Sequence, residues 1–179
     1  KHQIADTPYL LAVSSVNPNK NFASVLRALE LLGPDAPPCV IAGQKYARVF
    51  GGGGIDETRI KHVGHVSDAE LYALYSRAFC LLFPSFYEGF GLPPVEAMAL
   101  GCPAIVSNTS VMPEICGDAV LYCDPADPAT LVSAIQRLRA DPVLRRDLVS
   151  RGKERTRLFS WSASAETLLK TLSRAVGSR

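Results

Sequence analysis

The sequence contains no apolar run close to the roughly 20 residues needed to cross a bilayer, and its charged opening, Lys1-His2-Gln3, lacks the apolar core of a secretory signal. Charge of one sign is also missing. Nineteen basic against 17 acidic residues leave +2 over 179 residues, too little for a broad electrostatic grip on nucleic acid, so any basic group that matters acts locally. The five cysteines (Cys39, Cys80, Cys102, Cys116, Cys123) are odd in number and form no C-x-x-C pair, which argues against a disulfide framework and a zinc site. They read as reduced, mostly buried cytosolic thiols. His2, His62 and His65 make no metal constellation, and no Asp-x-Asp pair is available to hold a divalent ion on a diphosphate. Metal independence is the expectation. Gly51 to Gly54 is the only low-complexity stretch; without a following Gly-Lys-Ser/Thr or an immediately preceding strand it reads as an exposed flexible loop, not a phosphate loop. The turn Ser14 to Asn21 has no glycine, which excludes a nicotinamide-cofactor fingerprint. The chain opens on Lys1, not Met, as a piece of a longer protein would.

What is present is an alternation of short apolar runs with amphipathic stretches of helical length, the pattern of buried parallel strands joined by crossover helices. Strands are expected at Tyr9–Ser14, Cys39–Ala42, Arg59–Val63, Phe79–Phe83, Pro103–Val106 and Ala119–Tyr122. The fold class is therefore α/β: a Rossmann-like open parallel sheet of about six strands flanked by helices, one domain over residues 1–179. Phe22 to Leu32 places Val25, Leu26, Leu29 and Leu32 on one helical face, and Ser67-Asp68-Ala69-Glu70 is a capping box. Asp127-Pro128 and Asp141-Pro142 each set an N-cap acid before a proline at the first helical position, so two further helices follow the sheet. A last helix after Ser160 carries Trp161, Ala165, Leu168, Leu169, Leu172 and Val176, more apolar surface than a tail needs unless it packs on something.

The chemistry concentrates in Phe83 to Pro103, FPSFYEGFGLPPVEAMALGCP, where a buried strand runs into a glycine-rich turn and a short helix. Ligands of open parallel sheets bind beyond the carboxyl ends of the strands, where this turn lies. Gly89 and Gly91 let the backbone approach a ligand, and the helix start presents N–H groups and a positive dipole end suited to a diphosphate. Pro93 and Pro94 have no N–H, so the donors come from around Phe90, Gly91, Leu92 and Val95. Glu96, in the first turns of that helix, is placed to accept hydrogen bonds from two ribose hydroxyls, and Glu88, earlier on the loop, faces the sugar side. Two glutamates near a helix start can also be solvated groups that favour the dipole; the intervening glycines tip the reading toward a ligand. Lys20 lies just past the first strand at the same sheet edge. A cation is disfavoured at a helix start, so a counter-anion explains it better than solvation. His65 alone reads more readily as a loop residue than as a base contact.

Glu88 and Glu96, separated by seven residues around GFGLPPVEAMA, resemble the signature of the family-four retaining glycosyltransferases of the GT-B architecture. The resemblance extends through Val63 to Asp68, Pro103 to Ser107, Pro113-Glu114, Gly117 to Ala119 and Phe159 to Trp161, covering essentially the whole chain but only the family's C-terminal half. It implies that Glu96 binds the donor ribose, Glu88 the sugar hydroxyls, the backbone of Phe90, Gly91 and Leu92 the sugar and distal phosphate, the Val66 neighbourhood the base, and Lys20 the diphosphate. Ser15 stands where many members carry an arginine, so Lys20 would act with a serine hydroxyl or with a group from the other half. The implied activity is metal-independent hexose transfer, without a cofactor, from a nucleotide diphosphate sugar to a glycan or lipid-linked acceptor. The partner is an N-terminal acceptor-binding domain of the same protein. The implied setting is the cytoplasm, with a peripheral contact to the inner face of the membrane left open through that other half. A nucleotide-sugar epimerase of similar architecture, a retaining glycoside hydrolase and a non-catalytic nucleotide-binding module are the alternatives.

Overall fold

The computed structural model describes residues 7–14, 17–43 and 59–177. Six strands, β1 (Tyr9–Ser14), β2 (Cys39–Gly43), β3 (Ile60–Gly64), β4 (Ala78–Phe83), β5 (Ala104–Ser107) and β6 (Leu121–Cys123), form one sheet in the order β3-β2-β1-β4-β5-β6. Every pairing is parallel. Parallel strands need crossovers, and the helices that supply them cover both faces, which is why the inner strands are largely apolar while the edge strand β3 carries Lys61 and His62. The two-residue period then sorts the side chains. Val40, Leu11, Leu81 and Ala104 stand in register across four strands and pack in one core layer. Their helical partners there are α2 (Asp68–Arg77), α3 (Leu92–Ala99) and α4 (Met112–Cys116). Leu10, with its register partners Cys39 and Cys80, faces the opposite layer under α1 (Phe22–Leu32) and α5 (Pro128–Ala140).

The cysteines are core residues. All five are buried and free, and burial pushes the Cys39 thiol up to about 12, where it is not a nucleophile at neutral pH.

Helix starts agree with their local chemistry. Ser67 and Glu70 make both halves of the capping box on α2. Asp127 accepts from the Ala129 N–H on α5, and Asp141 accepts from the Val143 and Leu144 N–H groups on α6 (Pro142–Thr156). β1 has its expected bounds, β2 and β4 are each one residue longer than expected, and three strands are displaced. β6 starts two residues later than expected because Ala119 belongs to the turn that closes α4, its N–H bonded to the Cys116 carbonyl. β3 and β5 are each shifted one residue onward; Pro103 lies ahead of β5 and contributes only its carbonyl, to the Leu81 N–H. Helix α4 was not expected: five residues with a proline in the first turn carry too little periodicity to be recognised. The last helix, α7 (Trp161–Gly177), forms as expected but stands off the body, with Trp161, Leu168, Leu169, Leu172 and Val176 all exposed. The Gly51–Gly54 loop lies outside the described residues.

At the carboxyl edge of the sheet one side chain ties three loops together. Asn21 is buried in the left-handed conformation at the N-cap of α1 (φ 53°), and its Nδ2 donates to the Pro84 carbonyl at 3.0 Å and the Pro125 carbonyl at 2.7 Å. The Phe86 N–H donates to the Asn19 carbonyl at 2.8 Å beside it. The loops after β1, β4 and β6 are thus held in one arrangement. Asn21→Ala is expected to destabilise the protein by about 2–4 kcal/mol, from two lost bonds to buried carbonyls and a left-handed backbone that Ala resists. Asn21→Gly relieves only the backbone part and should cost about 1 kcal/mol less. Urea unfolding checks both; an Asn21→Gly protein as stable as wild type would show that the carbonyl bonds contribute nothing net.

Candidate functional site

Strand order reverses at the centre of the sheet. From β1 the chain proceeds outward through β2 and β3, then returns to place β4 on the other side of β1 and continues through β5 and β6. Loops leaving β1 and β4 diverge at such a switch point and leave a crevice beyond the carboxyl ends of the strands. Lys20 follows β1, and Glu88 follows β4.

The two meet across the crevice. Lys20 Nζ lies 2.8 Å from Glu88 Oε1 and 3.0 Å from Oε2, with side-chain exposures of 18% and 12%. The ammonium also sits 4.9 Å from the centre of the Phe83 ring, a cation–π contact at the end of β4. Asn17 caps the short turn that carries Lys20, accepting from the Asn19 N–H at 2.9 Å, and Asn21 anchors its far end.

The Glu88 loop is held by residues that sequence reasoning missed. The Glu88 N–H donates to Ser110 Oγ at 3.2 Å, Ser110 Oγ donates to the Glu88 carbonyl at 2.9 Å, and Thr109 Oγ1 donates to the Phe86 carbonyl at 3.3 Å. Ser110 adopts φ 58°, uncommon for a residue other than glycine. No local motif marks this pair, because its partners lie more than twenty positions away along the chain.

The two glycines differ in role. Gly91 has φ 89°, a left-handed backbone that calls for glycine, and a Cβ there would press on the terminal methyl of the buried Met112, which would have to shift. At Gly89 an added Cβ would meet nothing within 4 Å and the backbone is not left-handed, so neither packing nor conformation requires glycine there. Val95 is corrected as a free donor: its N–H bonds to the Gly91 carbonyl at 3.4 Å. Among the described residues, none accepts from the N–H groups of Phe90, Gly91 or Leu92. Three adjacent unbonded donors at a helix start are chemically suited to receive an anion.

Glu96 lies on α3, half-buried, and its Oε2 accepts from the Tyr75 hydroxyl of α2 at 3.0 Å. Val66 is half-buried, packed on the core just ahead of the α2 capping box, two strands out from the switch point; His65 beside it is exposed. Phe90 packs edge-on against Phe159, with ring centres 5.4 Å apart, and the two border an open apolar pocket of about 370 Å³ that Leu92, Val95 and Trp161 help to line. Ser15 and His2 lie outside the described residues. No helix among the described residues is long and apolar enough to cross a membrane.

Comparison with known proteins agrees with this geometry. The family described as glycosyl transferases group 1 matches residues 1–155. The O-antigen chain mannosyltransferase B of Escherichia coli is 34% identical over 90% of this chain and 44% of its own length. The O-antigen chain mannosyltransferase RfbU of Salmonella typhimurium is 34% identical over 80% of this chain and 40% of its own. This chain therefore spans less than half the length of these relatives. Among solved structures, sucrose-phosphate synthase from Thermosynechococcus elongatus superposes with a TM-score of 0.82 at 27% identity, over 97% of this chain and 47% of that one. A switch-point crevice that joins a lysine to the first glutamate of the glycine-rich turn, in a fold shared with GT-B glycosyltransferases and under a family match over most of its length, shows that the chain belongs to the glycosyl transferases group 1 family.

Proposed function

We propose that this chain is the donor-binding domain of a retaining glycosyltransferase that moves a hexose from a nucleotide diphosphate sugar to a glycan or lipid-linked acceptor. The observation that carries the reading is the Lys20–Glu88 pair beside the unpaired N–H groups of Phe90, Gly91 and Leu92. A diphosphate entering the crevice takes Glu88's place on Lys20 and collects those N–H groups, so the released Glu88 carboxylate is free to accept from sugar hydroxyls. In the transfer step the bond from the anomeric carbon to the diphosphate oxygen breaks, and the diphosphate keeps the electron pair. The acceptor oxygen bonds to the anomeric carbon, and its proton passes to the departing phosphate. Lys20 and the helix start stabilise charge that grows on the leaving group, which is electrostatic catalysis by preorganised groups. Glu96 binds the ribose, the Val66 loop the base, and Ser15 the phosphate side. Lys20 takes the part that a divalent ion would otherwise play.

A hydrolase would use Glu88 and Glu96 as an acid and nucleophile about 5 Å apart. Their separate engagements, one with a lysine and one with a tyrosine, favour different duties on one ligand. The mannosyltransferase names of the relatives favour a GDP-mannose donor and a surface polysaccharide product, made on the cytoplasmic side of a membrane. The exposed apolar face of α7 and the length of the relatives support a second, acceptor-binding domain in the whole protein, packed against that helix.

Calorimetry with UDP, GDP and ADP in the presence of chelator tests the reading. One of the three is expected to bind the chain, and binding that appears only on adding magnesium or manganese would end the metal-independent form of the proposal. Glu96→Ala should weaken that binding by about 1.5–3 kcal/mol, roughly ten- to 150-fold, as expected for hydrogen bonds to a charged group. In the whole enzyme Glu88→Gln should lower kcat more than it raises KM while leaving affinity for the bare nucleoside diphosphate nearly intact, because a group that orients the sugar contributes most as charge builds at the anomeric carbon. A Glu88→Gln enzyme that loses nucleotide affinity but keeps its turnover at saturation would reverse the division of labour.

A further inference from the structure

We propose that Tyr75 is a positioning residue for donor binding: from α2 its buried hydroxyl holds Glu96 by Oε2, presetting the carboxylate for the ribose hydroxyls. The proposal rests on the assignment of Glu96 to the ribose.

The hydroxyl is what calls for an explanation. Tyr75 is 1% exposed, and its ring packs in the core layer shared by α2 and α3, a duty phenylalanine could perform without burying a polar group. A buried phenol without a partner is costly, so the bond to Glu96 Oε2 at 3.0 Å is what makes tyrosine tolerable there. Burial, and then the neighbouring Glu96 charge, push the Tyr75 hydroxyl well above the usual tyrosine range, so it stays protonated and can only donate to an ionised Glu96.

The geometry leaves the carboxylate available. Glu96 Oε1 has no partner among the described residues, and Oε2 retains acceptor capacity beyond one bond. A neutral donor fixes the orientation without cancelling the charge, whereas Lys20 holds Glu88 with a full counter-charge. Fixing the side chain in advance also removes the entropy cost of ordering it when the ligand arrives. The same helix begins at the Ser67 capping box immediately after Val66. One rigid element thus joins the loop assigned to the base and the carboxylate assigned to the ribose.

The test uses Tyr75→Phe, Glu96→Gln and the double variant of this chain, titrated with whichever of UDP, GDP and ADP binds tightest and with its 2′,3′-dideoxy counterpart. Tyr75→Phe should lose about three- to tenfold in affinity for the ribose ligand, the scale of one hydrogen bond, and almost nothing for the dideoxy ligand. In the Glu96→Gln background it should add no further loss, since coupled residues are not additive. The ratio of the two ligand affinities separates positioning from a general loosening of the fold, which would weaken both alike. Equal losses for the two ligands, or a loss added in full to that of Glu96→Gln, would overturn the role of Tyr75 and leave the ribose assignment standing, provided the Glu96→Gln loss itself depends on the ribose hydroxyls. If that dependence is missing, or none of the three nucleotides binds, the ribose assignment falls and the proposal with it.

Discussion

Everything at this site depends on the reversal of strand order between β1 and β4. A sheet that continued in one direction would carry the loops after neighbouring strands to the same side, and no crevice would open between them. Because the chain goes outward from β1 and returns on its other side, a lysine and a glutamate 68 positions apart come to share one hydrogen-bonded ion pair. Both side chains are largely shielded from water, so neither charge would be tolerated there without its partner. The pair therefore ties the loop after β1 to the loop after β4 as well as balancing their charges.

The supports around that pair follow the same geometry. Asn21 bonds to carbonyls after β4 and ahead of α5, and Ser110 and Thr109, after β5, hold the backbone at Glu88 and Phe86. Loops at the carboxyl edge are bound to one another instead of to water, which limits how far Lys20 and the N–H groups of the glycine turn can drift. Met112 at the start of α4 fills the space that a side chain at position 91 would need, so the turn, the helix behind it and the buried core are one packed unit. On the far side α6 closes against α3 and α4: Arg155 donates from Nε to the Ile115 carbonyl at 2.9 Å and from its second terminal nitrogen to the Glu114 carbonyl, capping the open end of α4.

Helix α7 contrasts with this economy. Its apolar side chains are as numerous as those of a core helix, but they are exposed, and the pocket at its base is bordered by Phe90 and Leu92 of the glycine turn. The exposed apolar face of α7 therefore begins next to the glycine turn.

Much of the outline was legible in the sequence because it is local. Buried parallel strands are short apolar runs, α1 repeats its apolar residues on one face, and the N-caps of α2, α5 and α6 are single residues whose partners stand two or three positions on, so all six strands and these four helices could be read directly. The glycine turn and the residue types of the site were legible for the same reason. What only the tertiary structure decided is who meets whom. Lys20 was read as waiting for a phosphate, and the fold pairs it with Glu88; Glu96 was read alone, and the fold sets Tyr75 behind it; Asn21, Ser110 and Met112 carried no local signal at all. Those contacts span from about twenty to more than a hundred positions along the chain. Periodicity and capping report on neighbours within a few residues, whereas contacts at that separation depend on the order in which strands enter the sheet.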